Sequence, residues 1–472
     1  MNEILNIGSR REVFWDDTML DTAKTTTVFR LHEPVQRECV LTFDQPWAVK
    51  DNGAPTYNTV LQDGGLFRMY SRVDGNVAYA ESTDGIHWEQ PSLGIMEFDG
   101  SRDNPLLIDQ TDPEQHFGFD GFRPFIDENP DCPPDERYKA MTDDGNQVFV
   151  FVSPDGLHWK NRGPLKIAGH FDSMNTLFYN KQTGTYQAFI RDFHPNGDPS
   201  NPIWTRDIRF TESKDLYPEG KTPWPIPKPL RYDSGSDWQM YINSIMKYHR
   251  ADHVYIGFPS RYVQRGQWTP NYDELCGAES RRRRTEKGDP RYGLAISDTL
   301  FMTSRDGLNW TRYPEAFVRP GPEHPTNWVY GSVYFSNGLV ETKSAHEGCD
   351  DELSFYCAEN RWSDKPAQIY RYTIRMDGFV SQFAPYPEAN LVTKPFVFEG
   401  RDLYANFSTS AYGHLKFKLT DSDGRKIESC EIFGDSTDRR ISFDGDVSGF
   451  AGKPVVLSVN MCDADLYSII FR

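Results

Sequence analysis

Ser82-Thr-Asp-Gly-Ile-His-Trp88 is the stretch that decides the fold, because the chain repeats it. Further full copies are Ser153-Pro-Asp-Gly-Leu-His-Trp159 and Ser304-Arg-Asp-Gly-Leu-Asn-Trp310, and degenerate copies are Ser213-Lys-Asp215 and Arg375-Met-Asp-Gly-Phe379. Their first residues lie 71, 60, 91 and 71 positions apart. This spacing suits a unit of four short strands with variable loops, such as one propeller blade, better than a helical repeat.

Each copy predicts a tight turn between two strands, since Asp-Gly between apolar runs is the strongest short hairpin signal. Strand-like runs precede each turn in a constant order. In the first unit they are residues 57–62, 67–72 and 76–82. We therefore predict an all-β chain with a five-bladed β-propeller. Residues 12–31 are expected to add a strand to the last blade, which closes the ring and leaves no open edge.

The pattern changes after Phe383, where no further turn of the repeat type occurs. Alternating strands follow instead, joined at Asp423-Gly424 and Asp444-Gly445. We predict a propeller over residues 1–392 and a small β-sandwich over residues 393–472. A unit of about 80 residues is marginally stable alone, so the sandwich is expected to pack on the propeller.

Composition excludes several classes of function. A net charge of −18 argues against a nucleic-acid partner. The chain has no run of 18 apolar residues and no signal peptide, so we expect no membrane partner and a cytoplasmic location. The seven cysteines are scattered without CxxC spacing, and the histidines show no ligand spacing. No metal and no cofactor are expected, and the sequence leaves the oligomeric state open.

Propeller geometry nominates the site. The inner strand of each blade runs from the top face downwards, the second runs up and the third runs down into the repeated turn. Residues before each inner strand and at the end of each second strand therefore converge on the top, around the axis. The residues so selected are Asp51, Asp120, Arg123, Asp172, Asn175, Tyr241, Asn243, Trp328 and Tyr330 near the inner strands, and Arg72, Arg191, Asp192, Arg261 and Glu359 at the ends of the second strands.

Asp172, Asp192 and Glu359 are the predicted catalytic residues, because carboxylates are costly to bury unless they are paired or used. Glycoside hydrolysis needs two carboxyl groups, one ionised and one of raised pKa that protonates the leaving oxygen. Each residue also has a structural interpretation. Asp172 would cap a turn, Asp192 would pair with Arg191 or Arg206, and Glu359 would be a solvated strand end.

Nine of the remaining selected residues are predicted to bind substrate. These are Arg72, Asp51, Asp120, Asn175, Arg191, Tyr241, Asn243, Arg261 and Trp328. Two longer segments, 192–204 and 262–292, enter at the top, and the second carries Arg281-Arg-Arg-Arg284. A basic loop over a sugar site would recruit a sulfated, phosphorylated or uronic substrate. More commonly such a run is a solvated face.

The whole chain resembles bacterial proteins described as similar to family 32 glycoside hydrolases. The resemblance is carried by Arg11-Glu-Val-Phe-Trp-Asp-Asp17, Asp172-Ser-Met-Asn175, Arg191-Asp-Phe193, Asn327-Trp-Val-Tyr330, Glu359-Asn360 and Asp463-Ala-Asp-Leu-Tyr467. Family 32 enzymes are invertase-like and fructanase-like, with a five-bladed propeller followed by a β-sandwich. The resemblance implies hydrolysis or transfer of a furanose or related sugar by a carboxylate pair. The family's Trp-Met-Asn-Asp-Pro-Asn-Gly motif is absent, and Asp51-Asn52-Gly53 only echoes it.

The expected function is thus a glycoside hydrolase or transglycosylase acting on an oligosaccharide or glycoside. Two alternatives remain open. A propeller phosphorylase would bind phosphate through Arg72, Arg191 and Arg261. A non-catalytic carbohydrate-binding protein would use Trp328 and Tyr241 as stacking platforms. A sialidase is disfavoured, because its turns carry an extra residue between Asp and Gly and it has six blades. The sequence leaves the sugar, the linkage and the stereochemical outcome open.

Overall fold

The computed structural model describes residues 4–48, 57–73, 75–109, 121–195, 204–217, 223–287, 290–360, 363 and 365–472. This part of the chain is nearly all β, which confirms the predicted class. Its few helices are short: Pro134–Glu136, Pro270–Glu274, Ala278–Lys287, Arg291–Leu294 and Val447–Phe450.

Five sheets, which we number 1 to 5, follow the sequence repeat. Sheet 1 contains Asn58–Asp63, Leu66–Val73, Asn76–Ser82 and Leu106–Asp109. Sheet 2 contains Arg123–Ile126, Tyr138–Asp143, Val148–Ser153 and Lys160–Leu165. Sheet 3 contains Thr176–Asn180, Thr185–Pro195, Trp204–Ser213 and Lys228–Pro229. Sheet 4 contains Met246–Tyr248, Ala251–Gly257, Met302–Ser304, Asn309–Arg312 and Arg231–Tyr232. Sheet 5 contains Tyr334–Phe335, Val340–Thr342, Glu352–Glu359, Ala367–Arg375 and Val35–Phe43.

The five sheets pack face to face in a closed ring. Separate apolar cores join sheet 1 to sheet 2, 2 to 3, 3 to 4, 4 to 5 and 5 to 1. At the centre, sheets 5 and 1 touch through the backbone, since Val60 N donates to Asn337 O at 2.7 Å. Gly338 permits this approach, because a Cβ there would lie 2.1 Å from Val60 O. The first strands of sheets 1 to 4, with residues 337–339 after the first strand of sheet 5, line a central channel.

The repeated turns lock the sheets together. In the first copy, Asp84 Oδ1 accepts from the N–H groups of Ile86 and His87, both at 2.8 Å. Gly85 has a φ of 72°, which its lack of a side chain allows. Its carbonyl accepts a hydrogen bond at 2.6 Å from the Tyr356 hydroxyl of the preceding sheet. Each turn is therefore a joint between neighbouring sheets as well as a hairpin.

The strand that closes the ring is not the expected one. Val35–Phe43 pairs antiparallel with Ala367–Arg375 and supplies the outer strand of sheet 5. In the predicted segment 12–31, Glu12–Val13 pairs with Val455–Phe471, and Val28–Leu31 pairs with Val380–Ala384. These pieces are two and four residues long, too short to cover the nine-residue edge that Val35–Phe43 covers.

The C-terminal region forms a ten-stranded sheet, which we call the C-terminal sheet. Its strands are Leu5–Gly8, Glu12–Val13, Val28–Leu31, Val380–Ala384, Ala389–Val392, Phe396–Phe398, Leu403–Asp421, Lys426–Glu428, Asp435–Arg440 and Val455–Phe471. The two long strands pair with each other and shift register between Thr409 and His414. They enclose an apolar core of their own. The sheet takes strands from both sides of the predicted boundary at residue 392.

The degenerate turn at Asp377 attaches the C-terminal sheet to the ring. Its carboxylate is fully buried and accepts from Arg11 Nη1 at 3.1 Å, Arg250 Nε at 2.9 Å, and the hydroxyls of Tyr248 and Ser468, each at 2.6 Å. Burial alone would raise the pKa of Asp377, but the two arginines outweigh it and hold that pKa well below its usual range. One ionised carboxylate thus ties together the N-terminal segment, sheet 4 and the C-terminal sheet.

The segment 262–292, predicted as a loop, contains the three α-helices and the end of a small three-stranded sheet. That sheet extends sheet 4 towards the top and consists of Gln239–Met240, Ser260–Gln264 and Ala295–Thr299. The arginine run lies on Ala278–Lys287. Arg281 is buried and donates to Trp328 O at 2.7 Å, and Arg283 pairs with Glu279 at 3.2 Å.

Candidate active site

Tyrosines meet at the top of the ring, the end at which the first strands begin. We call Tyr57, Tyr241, Tyr262, Tyr330 and Tyr334 the tyrosine cluster. The rings of Tyr57 and Tyr334 stack with centroids 6.1 Å apart, and those of Tyr241 and Tyr334 stack at 6.0 Å. The Tyr330 hydroxyl donates to the Tyr241 hydroxyl at 2.6 Å. All five residues are buried, at 1–8% exposure, so the stacked rings and linked hydroxyls form a rigid layer that is both apolar and polar.

Three arginines adjoin the tyrosine cluster. The guanidinium of Arg123 lies 5.1 Å from the ring centre of Tyr57, and that of Arg206 lies 4.9 Å from the ring centre of Tyr262. Arg191 is buried and lies 4.1 Å from the ring centre of Phe193. Burial, opposed by Asp172 and reinforced by Arg206, lowers the pKa of Arg191. The top of the ring is therefore locally cationic in a strongly acidic protein.

Asp172 is the carboxylate that faces these arginines. It pairs with Arg191 Nη1 and is 62% exposed, so it is open to solvent. The loop that carries it is fixed from below, because Ser173 Oγ donates to Tyr241 O at 2.6 Å. Asn175 Oδ1 accepts from Arg191 N at 2.8 Å, and Asn243 Nδ2 donates to Met174 O at 2.9 Å. The two asparagines thus hold the Asp172 loop on its neighbours.

Asp192 lies on the other face of the same hairpin. Its Oδ1 is 2.6 Å from His170 Nδ1, and its Oδ2 is 3.0 Å from Arg209 Nε. Opposite it across the hairpin lies Asp207, which is buried and stands 3.4 Å from His194 Nδ1. Asp192 is therefore held by two basic groups away from Arg191, its sequence neighbour.

Glu359 ends the second strand of sheet 5. Its Oε1 accepts from the Tyr372 hydroxyl at 3.1 Å and from Gln36 Nε2 at 3.0 Å. These partners lie in the third and outer strands of the same sheet. Burial raises the pKa of Glu359, and the hydrogen bond from Tyr372 only partly offsets this. Its contacts thus differ from those of Asp172, and its pKa is shifted in the direction that a proton donor needs.

The other predicted residues are distributed around the top. Arg261 pairs with Asp298, with Nε to Oδ1 at 2.9 Å. Trp328 donates from Nε1 to Gly321 O at 2.9 Å. Arg72 ends the second strand of sheet 1, and its buried Nε has no hydrogen-bond partner in the described part of the chain. Asp51 and Asp120 lie outside the described residues.

Sequence reasoning did not select two features of the site. Asp143, a fully buried carboxylate at the end of a second strand, meets the same positional rule but was not selected. A Cβ at Gly121 would lie 3.5 Å from its Oδ2 and 3.8 Å from the guanidinium carbon of Arg123. Sequence reasoning also missed Tyr57, Tyr262 and Tyr334, because an aromatic residue in or beside a strand is usually part of the hydrophobic core.

Backbone strain concentrates around the site. Val333 has a φ of 49° and Trp328 one of 56°, a region costly for β-branched or bulky residues. Ser244 and Asn360 also have positive φ, at 38° and 64°. All four lie beside first or second strands of sheets 4 and 5. Strain of this kind persists where the surroundings impose a conformation, which is frequent at functional sites.

The opposite end of the channel opens into a cavity of about 530 Å³. Lys247 lines it, with its ammonium 3.8 Å from the ring centre of Tyr255. Burial lowers the pKa of Lys247 to about 8. The described residues contain no group of three or more His, Cys, Asp or Glu side chains placed to hold a metal ion. Among the same residues, no helix is long and apolar enough to span a bilayer.

Comparison with known proteins gives similarity at the level of structure alone. No family model and no curated protein matches the chain. The catalytic domain of the family 62 α-L-arabinofuranosidase of Coprinopsis cinerea aligns with a TM-score of 0.43 and 9% identity, over 73% of this chain and 97% of that one. The endo-arabinase of Bacteroides thetaiotaomicron gives a TM-score of 0.40, 12% identity, and coverages of 72% and 98%. A fructofuranosidase of Schwanniomyces occidentalis gives 0.39, 11%, and coverages of 96% and 99%. Scores this low establish neither a common fold nor a common activity, so function is inferred from the site.

Proposed function

We propose that the chain is a glycoside hydrolase that cleaves a furanosyl or related glycosidic bond at the tyrosine cluster. In this proposal sheets 1 to 5 are the blades of a propeller within residues 1–392, and the region from residue 393 folds as a sandwich. The observation that carries it is the placement of Asp172. A solvent-facing carboxylate is held on a buried arginine, beside stacked tyrosines, where five first strands begin.

The site has the chemical groups that a sugar requires. Aromatic rings pack on the apolar faces of sugar rings, and arginine, tyrosine and carboxylate groups bond to hydroxyls. Asp172, which is paired with Arg191, is proposed as the nucleophile or the general base. Glu359, whose pKa burial raises, is proposed as the proton donor to the leaving oxygen. Asp192, which is held by Arg209 and His170, is proposed as the third carboxylate.

The distance between the two catalytic carboxyl groups in the sugar complex decides the stereochemistry. A separation of about 5–5.5 Å lets the ionised group attack directly and retains the anomer. A separation of about 6.5–9.5 Å leaves room for a water molecule and inverts it.

A phosphorylase is the second candidate, because three arginines adjoin the tyrosine cluster. Inorganic phosphate is bound by such arginine groups. In that case Arg123, Arg191 and Arg206 would hold the phosphate that replaces water as the attacking group.

Aryl arabinofuranosides, fructofuranosides and the matching pyranosides, assayed with and without inorganic phosphate, test the proposal. Release of the aryl alcohol in phosphate-free buffer, with free sugar as the product, supports hydrolysis. Turnover only with phosphate, and a sugar phosphate as the product, supports the phosphorylase. Binding without turnover of any substrate contradicts both and favours the carbohydrate-binding alternative.

A further inference from the structure

A second cavity, which we call the side cleft, opens between sheets 3 and 4 and has a volume of about 320 Å³. It lies on the outer face of the hairpin whose inner face carries Arg191. Its walls include Asp207 from the hairpin and Tyr232 and Trp238 from the segment that follows sheet 3. None of these three residues belongs to the site proposed above.

Two buried polar groups line this cavity: Asp207 has charged neighbours, and the Tyr232 hydroxyl is unsatisfied. Asp207 is 4% exposed, and its carboxylate accepts one hydrogen bond from an N–H group, that of the adjacent Ile208, at 2.8 Å. Arg209 Nε is 3.9 Å away and His194 Nδ1 3.4 Å away. The Tyr232 hydroxyl is buried and has no hydrogen-bond partner in the described part of the chain. Buried groups in this state are costly unless something else bonds to them.

Burial raises the pKa of Asp207, and burial together with the nearby charge of Asp207 raises that of Tyr232. The phenol of Tyr232 both donates and accepts hydrogen bonds, and the carboxyl group of Asp207 accepts them. Sugar hydroxyls also donate and accept, so they suit this pair, whereas a phosphate or a carboxylate ligand only accepts.

Trp238 supplies a fixed aromatic wall. The guanidinium of Arg312 lies 4.5 Å from its ring centre, and that of Arg261 lies 4.9 Å away. Arg312 is itself held by Ser234 O at 2.7 Å and Ser236 O at 2.8 Å. Gly235 fits this stack because a Cβ there would come within 2.7 Å of the indole.

Arg206 connects the side cleft with the tyrosine cluster. It lines the cleft, and its guanidinium also lies 5.2 Å from the ring centre of Tyr241. Arg206 Nη1 donates to Gln239 Oε1 at 3.0 Å, which fixes the side chain between the two sites. A chain of sugars bound at the tyrosine cluster would therefore meet the cleft at this residue.

We propose that the side cleft binds one neutral sugar unit of an oligosaccharide whose scissile bond lies at the tyrosine cluster. Asp207 and Tyr232 bond to the hydroxyls of this unit, and Trp238 packs on its ring. This inference rests on the proposed function, and it makes the preferred substrate an oligosaccharide instead of a short glycoside.

Calorimetric titration of the Asp172→Asn protein with arabino- and fructo-oligosaccharides, from mono- to pentasaccharides, tests it. We expect the longer chains to bind more tightly than the monosaccharide. Adding Trp238→Ala should weaken binding of the best oligosaccharide by about tenfold, and Tyr232→Phe, which removes one oxygen, should weaken it in the same direction. Tyr412→Ala, on the exposed face of the C-terminal sheet, is the control and should have no effect.

Equal binding of monosaccharides and oligosaccharides, or affinities unchanged by both Trp238→Ala and Tyr232→Phe, would overturn the inference. If Trp238→Ala does not fold, Tyr232→Phe decides alone. Turnover by the wild-type protein together with unchanged affinities refutes sugar binding in the side cleft but leaves the proposed hydrolase activity intact. Binding that depends on Trp238 in a protein without any turnover refutes the hydrolase but supports the cleft as a sugar site.

Discussion

Asp172 lies 62% exposed on the guanidinium of Arg191, which is 2% exposed. The buried cation is thus neutralised by a carboxylate that faces solvent. A ligand that covers Asp172 would remove water from the pair and strengthen every charge interaction there. The arrangement leaves the carboxylate available for chemistry while the arginine holds it in place.

Asp172→Asn should lower kcat on an aryl glycoside substrate by about 10²-fold or more, because the amide cannot act as a nucleophile or a base. The melting temperature should fall, because the amide leaves the buried Arg191 without its counter-charge, so kcat is compared per folded molecule. Asp252→Asn, an exposed carboxylate at the other end of the ring, is the control and should retain full activity. Turnover by Asp172→Asn at the wild-type rate would remove Asp172 from the mechanism.

Glu359→Gln should abolish the basic limb of the pH–rate profile. A proton donor works only while protonated, so wild-type activity should fall as pH rises through the raised pKa of Glu359. The free energy of unfolding should also fall as pH rises, because the carboxyl group of Glu359 ionises at a lower pH in the unfolded chain than in the folded one. Unfolding free energy should therefore decline between the two pKa values in the wild type but not in Glu359→Gln. Glu352→Gln, at the start of the same strand, should keep the wild-type basic limb. An unchanged basic limb in Glu359→Gln would contradict the assignment.

Asp155→Ala tests the structural role of the repeated turns. Burial opposes ionisation of Asp155, but hydrogen bonds from the N–H groups of His158 and Leu157 outweigh it and lower its pKa. Losing these bonds should cost about 1 kcal/mol of unfolding free energy, as for other lost caps. Specific activity per folded molecule should be unchanged. Loss of activity without loss of stability would place the active site at the turn end of the ring.

Asp377→Asn should lower the unfolding free energy by about 3–5 kcal/mol, because it leaves the buried Arg11 and the partly buried Arg250 beside a neutral amide. The depressed pKa of Asp377 means that this stabilisation is present at neutral pH and is lost as the pH falls. Urea unfolding at pH 7 measures it, with Asp423→Asn in an exposed turn as the control. A loss no larger than that of the control would show that this link contributes nothing to stability.

Much of the strand order could be read from the repeat, since Asp-Gly turns impose their own geometry. The runs 242–247 and 332–336 predict the first strands of sheets 4 and 5, but the observed strands are shorter, Met246–Tyr248 and Tyr334–Phe335. The reason is local. Ser244 and Val333 have positive φ values, which end the extended structure. Neither residue type predicts such a φ from the sequence.

The site was only partly readable for a different reason. The positional rule selected Asp172, Arg191 and Tyr241, which the structure places together, because the rule depends on strand order alone. Glu359 obeys the same rule, yet its side chain turns to Tyr372 and Gln36 in the outer strands. The direction of the last side chain in a strand depends on register and packing, which a single sequence does not contain.

The most direct test is a crystal structure of the Asp172→Asn protein soaked with an oligosaccharide that the wild-type protein cleaves. The account predicts a sugar ring on the tyrosine cluster, with position 172 and Arg191 within hydrogen-bond distance of the sugar unit next to the scissile bond. A sugar bound instead in the cavity at the other end of the channel, beside Lys247, would contradict it.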